Sequence, residues 1–281
     1  MSKSRPPQRP GPRGQRRSQR SGNRPAGGKI ADGGNLIWGR HAVAAALANR
    51  HRQILRIAAT AEAEASIQDM LATLTADRRQ QLPPVTRTDR DQLADACPAD
   101  AIHQGVLLTV QPLPGLDLGH FLENAPTPLL LLVLDQITDP RNVGAILRSA
   151  AAFGVDGVIA QDRHAPPESG TLARAASGGL DVVPLIRVGN LARALEQMKE
   201  AGVWLHGLDS DAAESLGAQP TPARLALVLG AEDSGLRRLT REACDALLRL
   251  PTQPPIASLN VSNAAAIAIF TARQGQRTTA A

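Results

Sequence analysis

Six consecutive aliphatic residues, Leu129-Leu130-Leu131-Leu132-Val133-Leu134, run without a polar interruption. A strand with one wet face alternates, so an unbroken run of this length suits a strand buried on both faces. Such a strand belongs to a parallel sheet covered by helices. The run is far too short to cross a bilayer, which takes about 20 apolar residues. The pattern that follows agrees. Val143, Ile146, Leu147 and Ala150 have helical spacing, with Gly154 placed as the stop. Further strands are predicted at 157–160, 182–186, 203–208, 225–229 and 247–250, and helices around 168–177, 190–200, 236–246 and 262–273. The fold class is α/β, and residues 129–281 form the parallel-sheet domain.

A smaller α/β module precedes it over 35–111. Arg40–Ala48 reads as a helix with Val43 and Leu47 inward, and Ile67, Met70, Leu71 and Leu74 have helical spacing. Ile54–Ala59, Val85–Thr86 and Gly105–Val110 read as strands. Pro112, Pro114, Gly115, Pro126 and Pro128 mark 112–128 as a linker. Residues 1–34 read as a disordered tail. Its first 31 residues hold nine Lys or Arg and no acid, leaving 22 basic against 26 acidic residues over 32–281. The whole positive excess therefore lies at the N-terminus. It is either a solubilising leader or an arm that meets nucleic acid by counterion release.

Several classes are disfavoured. With two Trp, three Phe and no Tyr, the chain lacks the aromatic platforms of a base-stacking RNA surface. Any RNA is held by charge and shape. Cys97 and Cys244 have no metal-ligand spacing, so neither a metal site nor a disulfide framework is expected, and a reducing, cytoplasmic compartment is. No apolar h-region marks a secretory signal.

The polar breaks after the apolar runs carry the functional signal. Asp139-Pro140-Arg141-Asn142 follows the first strand, with Arg148 one to two turns on. Leu229-Gly230-Ala231-Glu232 ends another strand, and Leu250-Pro251 a third, before Ser258-Leu259-Asn260-Val261-Ser262 opens a small-residue helix. Open α/β sheets bind ligands at strand ends, so the breaks point to one composite site. Gln136 to Gly144 contains neither G-x-G-x-x-G nor a P-loop, which argues against hydride transfer or NTP hydrolysis.

These three segments resemble the motifs of the SpoU (TrmH-like) branch of the SPOUT RNA 2′-O-ribose methyltransferases. Trp38-Gly39-Arg40-His41 and His103-Gln104-Gly105-Val106 resemble the ends of that family's L30e-like RNA-binding domain. Val183 to Val188 and Arg237 to Glu242 resemble the subgroup acting on a guanosine of 23S ribosomal RNA. The resemblance implies a trefoil knot, a rare exception to unknotted connections. It also implies a homodimer, S-adenosylmethionine as methyl donor, ribosomal RNA as partner, and neither metal nor membrane. One departure stands out: Thr252 and Pro254 replace the family's usual Met and Gly, and a proline there fixes φ and removes an N–H.

The resemblance assigns catalysis to Arg148, Asn142, Glu232, Ser258 and Asn260. It assigns the cofactor to Leu229, Gly230, Ala231, Leu250, Pro251, Ser258 and Leu259, and RNA contacts to Arg40, His41, His103, Gln104 and Arg141. Arg148 is either a base whose proton the bound phosphate withdraws or a clamp on hydroxyl and phosphate, since guanidinium is normally donor-only. Asn142 either caps its helix or orients Arg148 or Glu232. Glu232 is either a surface carboxylate or a group fixing an arginine or an RNA hydroxyl. Ser258 and Asn260 either cap the last helix or sit beside ribose and cofactor. Gly230 is read as a place where the ligand comes close. Two other readings remain: the same chemistry on tRNA or another rRNA site, and a noncatalytic RNA-binding assembly factor.

Overall fold

The computed structural model describes residues 35–99, 101–218, 220–253 and 258–280. The basic tail expected over 1–34, and Pro254 with its predicted effect on the loop, lie outside the described residues.

Four strands, β1 (Asn35–Trp38), β2 (Ile54–Ala59), β3 (Val85–Arg87) and β4 (Val106–Val110), form a first sheet in the order β1-β4-β2-β3. β4 runs antiparallel to both its neighbours, and β2 pairs in parallel with β3. With them go helices α1 (Arg40–Ala48), α2 (Glu64–Ala72), α3 (Ala76–Gln80) and α4 (Arg90–Ala96). α3 and α4 escape an apolar-periodicity reading because each is only a turn or two long. Their signal is the cap instead: Thr75 accepts from Arg78 N, and Asp89 from Gln92 N.

The stretch 112–128 is more than a linker. It holds α5 (Leu118–Glu123), capped by Asp117, whose Leu118 and Leu122 are buried. Then come β5 (Leu129–Leu134), β6 (Gly157–Gln161), β7 (Leu185–Val188), β8 (Trp204–Leu208), β9 (Glu214–Ser215), β10 (Arg224–Leu229) and β11 (Ala246–Arg249). Their order is β7-β6-β5-β10-β8-β11-β9, and every pair is parallel. The helices are α6 (Pro140–Phe153), α7 (Gly170–Ala176), α8 (Gly179–Val182), α9 (Leu191–Glu200), α10 (Arg238–Ala243) and α11 (Val261–Ala280).

The aliphatic run behaves as its composition requires. Leu130, Leu132 and Leu134 pack with Ile146 and Leu147 of α6 and with Ala265 and Ile269 of α11. Leu129, Leu131 and Val133 pack on the opposite face with Leu191, Leu195 and Met198 of α9. Each such buried leucine cut to alanine would cost about 2–5 kcal/mol. The first of these cores continues into the N-terminal unit, taking in Val43, Leu47 and Ile57.

One element differs in kind from expectation. Residues 182–186 are not a strand throughout: Gly178 turns the chain at φ +100°, and Gly179–Val182 makes the short helix α8 before β7 begins at Leu185. Both cysteines are half-buried; burial pushes the Cys97 thiol up and that of Cys244 to about 12. Among the described residues, no helix is long and apolar enough to cross a membrane, and no cluster of potential metal ligands occurs.

Candidate active site

The strand order reverses direction at the β5–β10 pair, and the chain leaves the C-terminal ends of β5, β10, β8 and β11 on one edge of the sheet. That crevice is where open α/β sheets place ligands. Asp135, fully buried just past β5, ties two of the edge loops together. Its carboxylate takes Arg237 Nε at 2.6 Å and Arg237 N at 3.0 Å.

Three of the five predicted catalytic residues meet there. Glu232 Oε1 accepts from Asn142 Nδ2 at 3.1 Å, from Val261 N at 3.1 Å, and from Asn260 Nδ2. Asn260 Nδ2 also reaches Asn142 Oδ1 at 3.1 Å. Glu232 is thus no idle surface carboxylate; it joins the loops that follow β5, β10 and β11. Asn142 does not cap α6. The cap is Asp139, whose side chain accepts from Arg141 N with Pro140 next, so Asn142 is the third helical residue and its amide is free to face Glu232. Asn260 does serve as a cap as well, since Oδ1 accepts from Ser262 N at 3.0 Å and Ser262 Oγ at 2.6 Å. Ser258 is exposed and takes no part in the cluster, but it lines the adjoining cavity. Arg148 is exposed on α6 and outside this cluster. Its neighbourhood is set from below, where α8 packs so closely that a Cβ at Gly179 would lie 2.5 Å from Leu147 O and 3.0 Å from Arg148 N.

Beside the cluster lies a cavity of about 350 Å³, within the size range of small-molecule sites. Of the residues expected at the cofactor, Leu229, Gly230, Ala231, Leu250, Ser258 and Leu259 line it. Pro251 is exposed and does not line it, although Leu250 and Thr252 on either side of it do. Gly230 lines the cavity and has a structural reason to be small as well. A Cβ on it would come within 2.2–2.4 Å of Gly235 and Leu236 backbone, so its smallness closes the 231–235 turn. That turn is held by Gly235 N donating to Ala231 O at 2.9 Å, with Gly235 at φ +62°.

Leu208, Asp209, Ser210, Asp211 and Arg241 also line the cavity and were missed. Leu208 ends β8 and the next three follow it, so the strand-end argument extended to that break would have found them. Arg241 is brought in by its ion pair with Asp209, for which no local pattern exists.

The residues expected to meet RNA divide. Arg40 and His41 are exposed, and Gln104 is exposed with its Oε1 accepting from Arg40 N at 2.9 Å. Arg40 and Gln104 line both an open cavity of about 790 Å³ with Arg87 and Arg90, and a smaller one with His41 and Arg174. Arg87, Arg90 and Arg174 were not anticipated. His103 is buried and braces the turn by accepting from Gly105 N at Nδ1, so its imidazole faces inward rather than toward the surface that Arg40, His41 and Gln104 share. Burial and the nearby Arg90 lower its pKa. Arg141 is exposed on the first turn of α6.

Comparison with known proteins agrees with this geometry. Residues 129–270 match the family model described as SpoU rRNA Methylase family, and residues 36–115 the one described as RNA 2′-O ribose methyltransferase substrate binding. The 23S rRNA (guanosine-2′-O-)-methyltransferase RlmB of Pseudomonas putida is 38% identical over 244 residues, covering 85% of this chain and 96% of that protein. The RlmB of Nitrosomonas europaea is 49% identical over 179 residues, covering 63% and 69%. Among solved structures, the SpoU methyltransferase AviRb of Streptomyces viridochromogenes in complex with AdoMet superposes with a TM-score of 0.71 at 23% identity, over 87% of this chain and 90% of that one. A matched family model over half the chain, and a relative covered along nearly its whole length, carry one conclusion: the chain belongs to the SpoU rRNA methylase family.

Proposed function

We propose that this chain transfers a methyl group from S-adenosylmethionine to a ribose 2′-hydroxyl, that of a guanosine in 23S ribosomal RNA. The observation that carries it is the hydrogen-bonded Asn142–Glu232–Asn260 cluster at the rim of the strand-end cavity. The residues present fit the donor. Leu208, Leu229, Leu236, Leu250 and Leu259 offer apolar walls for an adenine and a methionine chain, while Asp211, Glu232 and Asp233 set negative charge against a sulfonium and an ammonium. When bound, that group supplies an electrophilic methyl on positively charged sulfur.

The chain's own task is orientation, which can contribute about 7–11 kcal/mol to a displacement. Asn142, Glu232 and Asn260 hold the loops after β5, β10 and β11 in one arrangement. Arg148, exposed on the same helix as Asn142, grips the hydroxyl and an adjoining phosphate through a guanidinium that has five donors and no acceptor. Clamp is therefore the better of the two readings of Arg148. Arg40, His41 and Gln104, with Arg87, Arg90 and Arg174, hold RNA by charge and shape away from the reacting atoms. Family membership supports the finer architecture as well: an L30e-like substrate-binding domain over 35–111, a connection over 112–128 that carries the packed helix α5, and a knotted methyltransferase domain over 129–281 that works as a homodimer in the cytoplasm. The small-residue helix α11 supplies the surface for a partner copy: Ala265, Ala268 and Ile269 are spent on the chain's own core, leaving Ile267 exposed, and Phe270 exposed with its ring against Phe153.

The test is Arg148→Ala with a 23S rRNA transcript. Single-turnover methylation should fall by about 10² or more while the S-adenosylmethionine dissociation constant stays within twofold. Arg148→Lys should not restore the rate, because an ammonium lacks the planar fork. A wild-type rate in Arg148→Ala would remove the clamp.

A further inference from the structure

Arg52 lies in the N-terminal unit, and its side chain is completely buried against the other one. Nη1 donates to Glu168 Oε2 at 2.7 Å and to Gln111 O at 3.1 Å, and Nε to Asp181 Oδ1 at 2.8 Å. Glu168 lies just before α7, and Asp181 is in α8, so one guanidinium grips both ends of the α7–α8 segment. Asn49, at the end of α1, adds a hydrogen bond to Asp181 Oδ1 at 3.1 Å, and Leu113 N donates to Glu168. Arg78 holds this end of the N-terminal unit in place by donating to the carbonyls of Ala46, Leu47 and Arg52.

The same junction is fitted by shape. The Trp38 ring occupies the place a Cβ of Gly170 would take, 1.7 Å from that position. A Cβ on Gly178 would meet Ala45 Cβ at 2.9 Å. On its far side α8 rests on the α6 backbone at Leu147 and Arg148. A mechanical path therefore runs from Arg52 through Asp181 and α8 to the helix that carries Arg148 and Asn142.

Cohesion alone does not explain this arrangement. Well-packed apolar residues commonly hold such a junction as firmly as a buried ion pair does. What a forked cation between two carboxylates adds is register, because sliding either unit breaks two charge-assisted bonds at once. We infer that Arg52, through Asp181 and Glu168, is a positioning residue that sets the substrate-binding unit on α6 at one spacing, so that RNA gripped by the first unit meets Arg148 in line. This rests on the proposed role of Arg148, and misplacement of about 1 Å is enough to cost 10²-fold in a reaction governed by orientation.

The experiment uses full-length protein, S-adenosylmethionine and a 23S rRNA transcript. Asp181→Asn keeps the shape and removes the charge. Its single-turnover rate at saturating RNA should fall at least tenfold, with the cofactor dissociation constant within twofold of wild type. In an Arg148→Ala background the same change should cost less than twofold, since its effect passes through that residue. Because a buried charge left alone can destabilise the fold, the triple change Arg52→Met, Glu168→Met and Asp181→Leu provides an apolar junction. It should fold, bind cofactor normally and methylate at least tenfold slower. An unchanged rate in the folded triple variant, or an equal loss from Asp181→Asn in both backgrounds, would overturn the inference. Failure of the Arg148 role shows separately, as a wild-type rate in Arg148→Ala alone.

Discussion

Gly230 separates two kinds of reason for a small residue. If it were small only to admit a ligand, an added methyl would weaken cofactor binding and leave the empty protein untouched. Its contact instead is with Gly235 and Leu236 backbone at 2.2–2.4 Å, which cannot swing aside as a side-chain end can. Gly230→Ala should therefore destabilise the unliganded protein by about 1–3 kcal/mol, lowering Tm by roughly 2–12 °C, as well as weakening cofactor affinity. Differential scanning calorimetry with and without S-adenosylmethionine checks both; an unchanged Tm without ligand would return Gly230 to the ligand-only reading. Residue identities at the strand ends were legible because chemistry concentrates there. Partnerships were less so. The pair Asp139-Pro140 is a local start signal that favours Asp139 over Asn142 as the cap of α6, but nothing local says that His103 turns inward or that Arg52 pairs with a carboxylate 129 residues away.

Elements with a long apolar signal came through best. β5, α6, α9 and β10 lie where runs and periodicity put them, because burial on one or two faces leaves a period in the sequence. α3, α4, α5 and α8 have at most seven residues and rest on caps, turns and tertiary packing. β8 carries a property its apolar pattern does not announce. His206 sits in it among Leu216, Thr221 and Thr271, where burial lowers its pKa and Asp245 opposes that only in part. The folded chain therefore holds fewer protons at this site than the unfolded chain near and below the ordinary value of about 6.5. Stability from His206 is full above that value and is lost as pH falls through it. His103 adds in the same direction. Thermal unfolding followed from pH 7.5 to 5 should show Tm dropping, with a smaller drop in His206→Gln. Equal slopes in the two proteins would mean that His206 contributes nothing.

Across the whole molecule, charge and structure are distributed unequally. Residues 32–281 carry a net −4, and the nine basic residues of the first 31 reverse the sign. A chain that binds RNA with an acidic body depends on local basic faces such as Arg40, Arg87, Arg90 and Arg174, or on that segment. Deleting residues 1–31 should weaken RNA binding and flatten the dependence of log K on log salt, by about 0.7–0.9 for each phosphate the segment had neutralised. Filter binding between 50 and 200 mM salt reads this directly, and identical slopes would show that the segment neutralises no phosphate.

The pairing of β5 with β10 sets a timetable for synthesis. Leu129 is matched to Arg224, 95 positions further on, so the central seam of the large sheet closes only after most of the chain exists. At about 5–20 residues per second, a strand apolar on both faces waits some 5–20 seconds with one edge unpaired. Over that interval the nascent protein is a half-sheet with its stickiest strand at the border. The ribosome that makes this chain thus holds for seconds the segment most prone to pair with the wrong neighbour.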